Sequence, residues 1–210
     1  NGMLGPDGYD GNSPDLWAKM PMLWAMQTYY EGTGDKRVLT AMEKYFQWEL
    51  TIPDEQFLKG LWQEKRGGDN LWSVLWTYNR TGNESILPLV DKLHRNTSNW
   101  AMSGTLPNWH GVNIAQGFRE PATYYLYTGD KAMLQATYNN QAEMRRRYGQ
   151  MPGGMYAADE NARHGYYDPR NGAETCALVE QMASDEILMG TTGDPYRADH
   201  CENVATNTFT

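Results

Sequence analysis

Residues 123 to 138 read TYYLYTGDKAMLQATY, two aromatic and apolar stretches joined by Thr128, Gly129 and Asp130. Glycine ends a helix readily because it accepts the left-handed backbone of a C-terminal cap, and aspartate or asparagine caps the start of the next. The stretch therefore predicts a helical hairpin. The same signal recurs as TGD at Thr33 to Asp35, TGN at Thr81 to Asn83 and TGD at Thr192 to Asp194, at intervals of 48, 47 and 64 residues. Long apolar and aromatic stretches flank each one, so the chain reads as four successive hairpins. One hairpin cannot bury both its faces, and stacked hairpins form either an open solenoid or a closed ring. The period exceeds the 34 residues of a tetratricopeptide and fits the hairpins of HEAT-like pairs or of an (α/α) toroid. The expected class is all-α.

The last interval is longer than the others because about 16 additional residues lie between Gly149 and Gly172. In a ring, loops at one end converge on a central cleft, and a lengthened loop there is where chemistry is expected. The segment is also expected to be the one notable irregular stretch, with MYAAD at 155–159 strand-like. It continues as DENARHGYYDPRNGAETC over residues 159–176. Glu160 is the candidate proton donor and acceptor, with Asp159 beside it as a like charge. His164, Tyr166, Tyr167 and Asp168 follow as weaker candidates, Asp168 before Pro169 being also a turn starter.

Glu174 and Cys176 stand two apart at a helix start. From there both can reach one metal ion, and a helix N-terminus favours a thiolate. Carboxylate and thiolate together suit zinc. No CxxC or HxxxH accompanies them, and Cys201 is a weaker third candidate. PNWHGVNIAQG at 107–117 places Trp109, His110, Asn113 and Gln116 around another helix start. Polar groups beside an indole suit sugar hydroxyls and the C–H faces of a sugar ring, while Asn108 offers an alternative reading as a helix cap.

The 210 residues carry a net charge of −8. That leaves no basic stripe for nucleic acid, and Arg145 to Arg147 is too short a run to make one. No segment approaches the roughly 18 apolar residues of a membrane span. Two cysteines make no disulfide framework. Eight Trp and 14 Tyr against four Phe favour rings with a polar handle, which suit a wet cleft. The Gly-rich opening, and an ending that reads as helix without a capping signal, give the expectation of a piece of a longer chain.

The segments HGVNIAQGFREPATYYLYTGD, DEN and GAETCALVEQM with TGDPYRADHCENVATNT together resemble glycoside hydrolase family 127, the β-L-arabinofuranosidase-like family once termed domain of unknown function 1680, over residues 14–210. The resemblance implies an (α/α)6 barrel, here incomplete, followed by β-sandwich domains. It implies a retaining hydrolase of L-arabinofuranosyl-like residues in plant-type glycans, with a zinc-bound cysteine as nucleophile and a glutamate as acid/base. Glu160 matches the acid/base, and Glu174 and Cys176 match the first two zinc ligands. The remaining cysteines, including the nucleophile, lie beyond this segment, and Cys201 is too close to Cys176 to be that group. A carbohydrate partner and a periplasmic or extracellular setting follow from the same resemblance. Another (α/α)6 carbohydrate enzyme, an epimerase or lyase, and a non-catalytic helical-repeat scaffold are the competing readings.

Overall fold

The structure, a computed structural model, describes residues 2–5, 8–10, 13–101, 104–149, 151–156, 159–166, 168 and 170–209. It is all-α apart from a two-residue antiparallel pair, β1 (Tyr9–Asp10) with β2 (Ser13–Pro14). The helices are α1 (Lys19–Thr33), α2 (Arg37–Thr51), α3 (Leu61–Thr81), α4 (Pro88–Asn96), α5 (Gly111–Gly117), α6 (Glu120–Thr128), α7 (Lys131–Tyr148), α8 (Thr175–Thr192) and α9 (Pro195–Asn207). Among the described residues no helix is long and apolar enough to cross a membrane. The chain divides into two compact units, Asn1–Ser98 and Asn99–Thr210, each holding two of the expected hairpins.

All four turn signals fold by one local mechanism. Gly34, Gly82, Gly129 and Gly193 are left-handed caps with φ of 67°, 66°, 71° and 69°. Their amides donate to the carbonyls of Tyr30, Tyr78, Tyr125 and Met189 at 2.7 to 2.8 Å. The preceding threonine hydroxyl accepts the amide of the following Asp or Asn, at 3.3, 3.2, 3.1 and 3.1 Å along the chain. That Asp or Asn then accepts the amide two residues on: Arg37 at 3.0, Ser85 at 3.1, Ala132 at 2.9 and Tyr196 at 3.0 Å. Three residues thus partner one orphan carbonyl and one orphan amide at two helix ends. The mechanism needs no distant contact, which is why its signature is so regular.

In the first unit α3 packs against α1, α2 and α4. Leu71 and Val74 of α3, Met42 and Phe46 of α2 and Leu89 and Leu93 of α4 are fully buried. A carboxylate sits among them. Glu49 is wholly buried, accepts from Asn70 Nδ2 at 2.5 Å, and has Tyr45 and Lys92 nearby. The Lys92 ammonium donates to the carbonyls of Glu49, Leu50 and Ile52, closing the C-terminus of α2. Loss of hydration pushes Glu49 up to about 8, against the opposing pull of the neighbouring Tyr45 hydroxyl, of the Asn70 hydrogen bond and of the Lys92 and Lys19 charges.

In the second unit α5 packs on α8, α6 on α7 and α8 on α9. Trp100, Ile114, Ala115, Met144 and Met155 form its core. The stretch before Thr128 reads as one helix in the sequence but is two. Pro121 has no amide to offer the Gly117 carbonyl, so the ladder breaks there. Arg119, fully buried at the break, donates to the Gln116 carbonyl at 3.1 Å and to Ser184 Oγ of α8 at 2.6 Å.

Three further expectations need correction. Where described, the segment from Gly149 to Gly172 is largely irregular as expected, but it is not alone. Residues 97–101 and 104–110 are also non-helical, held by the buried Trp100, whose carbonyl accepts from Asn140 Nδ2 at 2.6 Å, and by Leu106. MYAAD is not a strand where described: Met155 and Tyr156 face the core, Ala157 and Ala158 lie outside the described residues, and Asp159 makes one isolated parallel bridge to Ala173. The final helix ends at Asn207, with Thr208 as its cap.

Candidate active site

A hairpin that turns at TGD begins its first helix at the opposite end, and in the second unit both such beginnings carry candidate residues. His110 is the N-cap of α5, with Nδ1 accepting from the Asn113 amide at 3.4 Å. Asn108, the alternative cap, instead accepts from the His110 amide at 2.9 Å and from Asn113 Nδ2 at 3.1 Å. With Nδ1 engaged by the helix, Nε2 is the ring atom turned to Glu160, whose Oε1 lies 3.6 Å away. The Glu160 side chain is 71% exposed while that of His110 is only 11% exposed, so a carboxyl open to solvent stands on a shielded imidazole.

The long loop reaches this place because its backbone pairs with the segment leading into α5. The Gly111 amide donates to the Glu160 carbonyl at 2.9 Å and the Ala162 amide to the Trp109 carbonyl at 2.8 Å, as an antiparallel bridge of His110 with Asn161. On its other side, Asp159 and Gly172 exchange amide–carbonyl and amide–carboxylate bonds at 3.0 and 2.8 Å. This second attachment ties the loop to Glu174, the N-cap of α8. The Asp159 carboxylate is turned to the Gly172 amide and to Arg163 at 3.0 Å, not to Glu160 as the adjacent like charges suggested.

Glu174 Oε2 is buried with no hydrogen-bond partner. Cys176, two residues on in the first turn of α8, is exposed. An orphaned carboxylate oxygen and an accessible thiol fit a metal ion as donors. Among the described residues no group of three or more His, Cys, Asp or Glu is placed to hold one. Cys201 is half-buried, its Sγ 3.8 Å from the Met182 carbonyl. Burial, then the charges of Glu186 and Asp185, pushes its thiol up, away from a thiolate role.

The other candidates divide. Asn113 and Gln116 are buried, at 1% and 2% exposure. Trp109 is packed against the core, its ring edge-on to Tyr148 at 6.2 Å and covered by Arg147 at 5.1 Å. Tyr166 is 42% exposed and carries Arg163 over its ring at 4.3 Å. His164 is exposed, Asp168 starts a turn to Arg170 and Asn171, and Tyr167 lies outside the described residues. An open concavity of about 640 Å³ lies along α2, lined by Gly2, Thr40, Glu43, Lys44, Gln47 and Trp48 among others, and none of the candidates borders it.

The loop rests on a buried charge cluster that motif reading missed. Asp185 of α8 faces Arg197 Nη1 at 3.2 Å and His200 Nδ1 at 2.5 Å on α9, with Gln181 at 3.2 Å. All four residues are buried. The signal was present: Arg197 and His200 are three apart and Gln181 and Asp185 four apart, spacings that share a helix face.

Helical hairpins ending in TGD turns, with the candidate residues at the opposite end, define an all-α hairpin protein. The chain belongs to the beta-L-arabinofuranosidase, GH127 catalytic domain family, whose model matches residues 9–210. In fold it resembles the alpha-1,6-mannanase GH76A of Salegentibacter sp. HEL1_6, an (α/α)6 toroid, solved as an inactive variant in complex with alpha-1,6-mannotriose. The TM-score is 0.68 at 16% identity, over 92% of this chain and 60% of that one. No curated protein sequence matches the chain.

Proposed function

We propose that the chain is part of the catalytic barrel of a retaining glycoside hydrolase acting on L-arabinofuranosyl residues of plant-type glycans. β-Sandwich domains would follow it, and the nucleophilic cysteine would lie beyond residue 210. Membership of the GH127 family supports the reaction class. The observation that carries the assignment of roles is the solvent-open Glu160 carboxyl 3.6 Å from His110 Nε2, on a loop whose other edge is tied to the segment leading into Glu174.

Glu160 donates its proton to the glycosidic oxygen as that bond breaks, then takes a proton from the water that releases the sugar, which is the alternation retention requires. An imidazole at Nε2 steadies the carboxylate left after the first transfer, while Nδ1 stays with the helix. Tyr166, exposed on the same loop, offers a ring face to the sugar, and the buried Asn113 holds the α5 start through its Nδ2 bond to Asn108 at 3.1 Å. Glu174 and Cys176 would hold zinc together with cysteines from outside this chain. Zinc keeps its thiolate ligands deprotonated at neutral pH.

The test is Glu160→Gln in the full-length protein, which would supply the nucleophilic cysteine. Hydrolysis of an arabinofuranoside with a sugar leaving group should fall by a factor on the order of 10² to 10⁴. An aryl arabinofuranoside with a good leaving group should keep its first step, and azide should then speed turnover and give an azide product of unchanged anomeric configuration. Equal rates for Glu160→Gln and wild type on both substrates would remove Glu160 from its role. In Cys176→Ser, metal analysis should show less bound zinc and both substrates should be turned over more slowly.

A further inference from the structure

The Glu160 side chain is mostly in solvent, so its aim depends on the backbone that carries it. The loop is fixed at two points to one residue. Gly111 donates its amide to the Glu160 carbonyl at 2.9 Å, and its own carbonyl accepts the Tyr156 hydroxyl at 3.0 Å. Tyr156 and Glu160, four apart in the loop, are therefore both clamped to the first residue of α5, next to His110. A Cβ on Gly111 would lie 3.7 Å from the carbonyl oxygens of both Asp159 and Glu160, so the loop lies in direct contact with the helix start.

Tyr156 is otherwise well placed to hold. Its ring is buried among the core residues of the second unit, at 5% exposure. Burial, then the Asp185 and Glu174 carboxylates, hold its phenol well above the ordinary tyrosine range, so it stays a donor to Gly111. Two residues earlier the loop lies on α9. Gly154 has φ of +82°, and a Cβ there would meet the His200 ring at 2.9 Å. Between Tyr156 and Glu160, Asp159 has φ of +50°, a left-handed conformation for a residue with a side chain. Its carboxylate is held by the Gly172 amide and by Arg163. Backbone in that region persists only where surrounding contacts impose it.

We propose that Tyr156 is a positioning residue for Glu160, acting through Gly111, and that the left-handed turn at Asp159 is the second element of the same device. The inference rests on the acid/base reading of Glu160. Without the Tyr156 hydroxyl the loop loses its inner anchor, and the carboxyl no longer meets the leaving oxygen as it departs. Misplacement of a catalytic group by about an ångström costs up to about 10²-fold.

The experiment is Tyr156→Phe, which keeps the buried ring and removes one oxygen, assayed with two arabinofuranosides whose leaving groups are a sugar and a dinitrophenol. The kcat for the sugar leaving group should fall by about tenfold to a hundredfold. KM should be unchanged and the dinitrophenyl glycoside's first step nearly so. Asp159→Asn, which tolerates the left-handed backbone and keeps an acceptor for Gly172, should stay near wild type. Asp159→Val should show the same leaving-group split as Tyr156→Phe. Equal losses on both substrates, or none, in Tyr156→Phe overturn the positioning role, as does full activity in Asp159→Val. If Glu160→Gln itself shows no leaving-group dependence, the acid/base reading fails and this inference with it. A split present in Glu160→Gln and absent from both loop variants sinks this inference alone.

Discussion

Replacing Glu49 by Gln should stabilise the protein at neutral pH and leave it unchanged in mild acid. Glu49 is fully buried in the first unit and is pushed from 4.5 up to about 8, chiefly by loss of hydration. The direction is opposite to that of a salt-bridged carboxylate. Between those two values the unfolded chain has released the proton and the folded chain has kept it, so the folded state binds more protons and stability falls as pH rises. The slope is about 1.4 kcal/mol per pH unit, which makes the penalty about 3 kcal/mol at pH 7, growing to a plateau above pH 8. Below 4.5 both states are protonated and the penalty vanishes. Glutamine has the shape of the neutral acid, and its carbonyl can still accept from Asn70 Nδ2 as Glu49 Oε1 does at 2.5 Å. Urea unfolding of wild type and Glu49→Gln, followed by tryptophan fluorescence at several pH values from 4 to 8, reads the difference directly, because every other titrating group cancels. The two curves should coincide near pH 4 and separate progressively toward pH 8. A difference that does not vary with pH, or a variant less stable at pH 7 than at pH 4 relative to wild type, would refute the reasoning.

Gly193→Ala places a Cβ on a left-handed cap with φ of 69° and should lower stability by about 1 to 2 kcal/mol, read as a lower thermal midpoint. Asp185→Asn leaves the Arg197 guanidinium, which has no solvent exposure, without its countercharge. It should cost about 3 to 5 kcal/mol in urea unfolding, the usual consequence of breaking a buried ion pair.

What could be read from the sequence divides along the range of the interactions. The four TGD or TGN turns are complete within a few residues, since glycine, threonine and aspartate meet their partners on adjacent turns, so spacing alone revealed the hairpins. The break at Arg119 was in principle as local, because Pro121 stands in plain view, yet the apolar and aromatic residues on either side of it masked the missing amide. Glu160 and His110 are fifty residues apart, and their approach depends on the loop backbone pairing with residues 109–111. Trp109 shows the limit of composition: an indole suited to stacking on sugar is flanked here by Tyr148 and Arg147. Tyr156 looked like one more apolar residue of a supposed strand, because only the fold supplies the Gly111 carbonyl that makes its hydroxyl matter.

Each TGD turn closes its helix ends with its own three residues and asks nothing of the opposite end of the hairpin. The caps therefore do not depend on loop length at that other end. Mutation can vary exposed positions of the segment between Gly149 and Gly172, such as Arg163 to Tyr166, while the hairpins on either side retain their caps and the buried Met155 and Tyr156 keep the core filled. A lineage could therefore try new substrates by varying these positions, and an engineer could do the same, with the anchors at Gly111 and Gly172 as the joints to preserve.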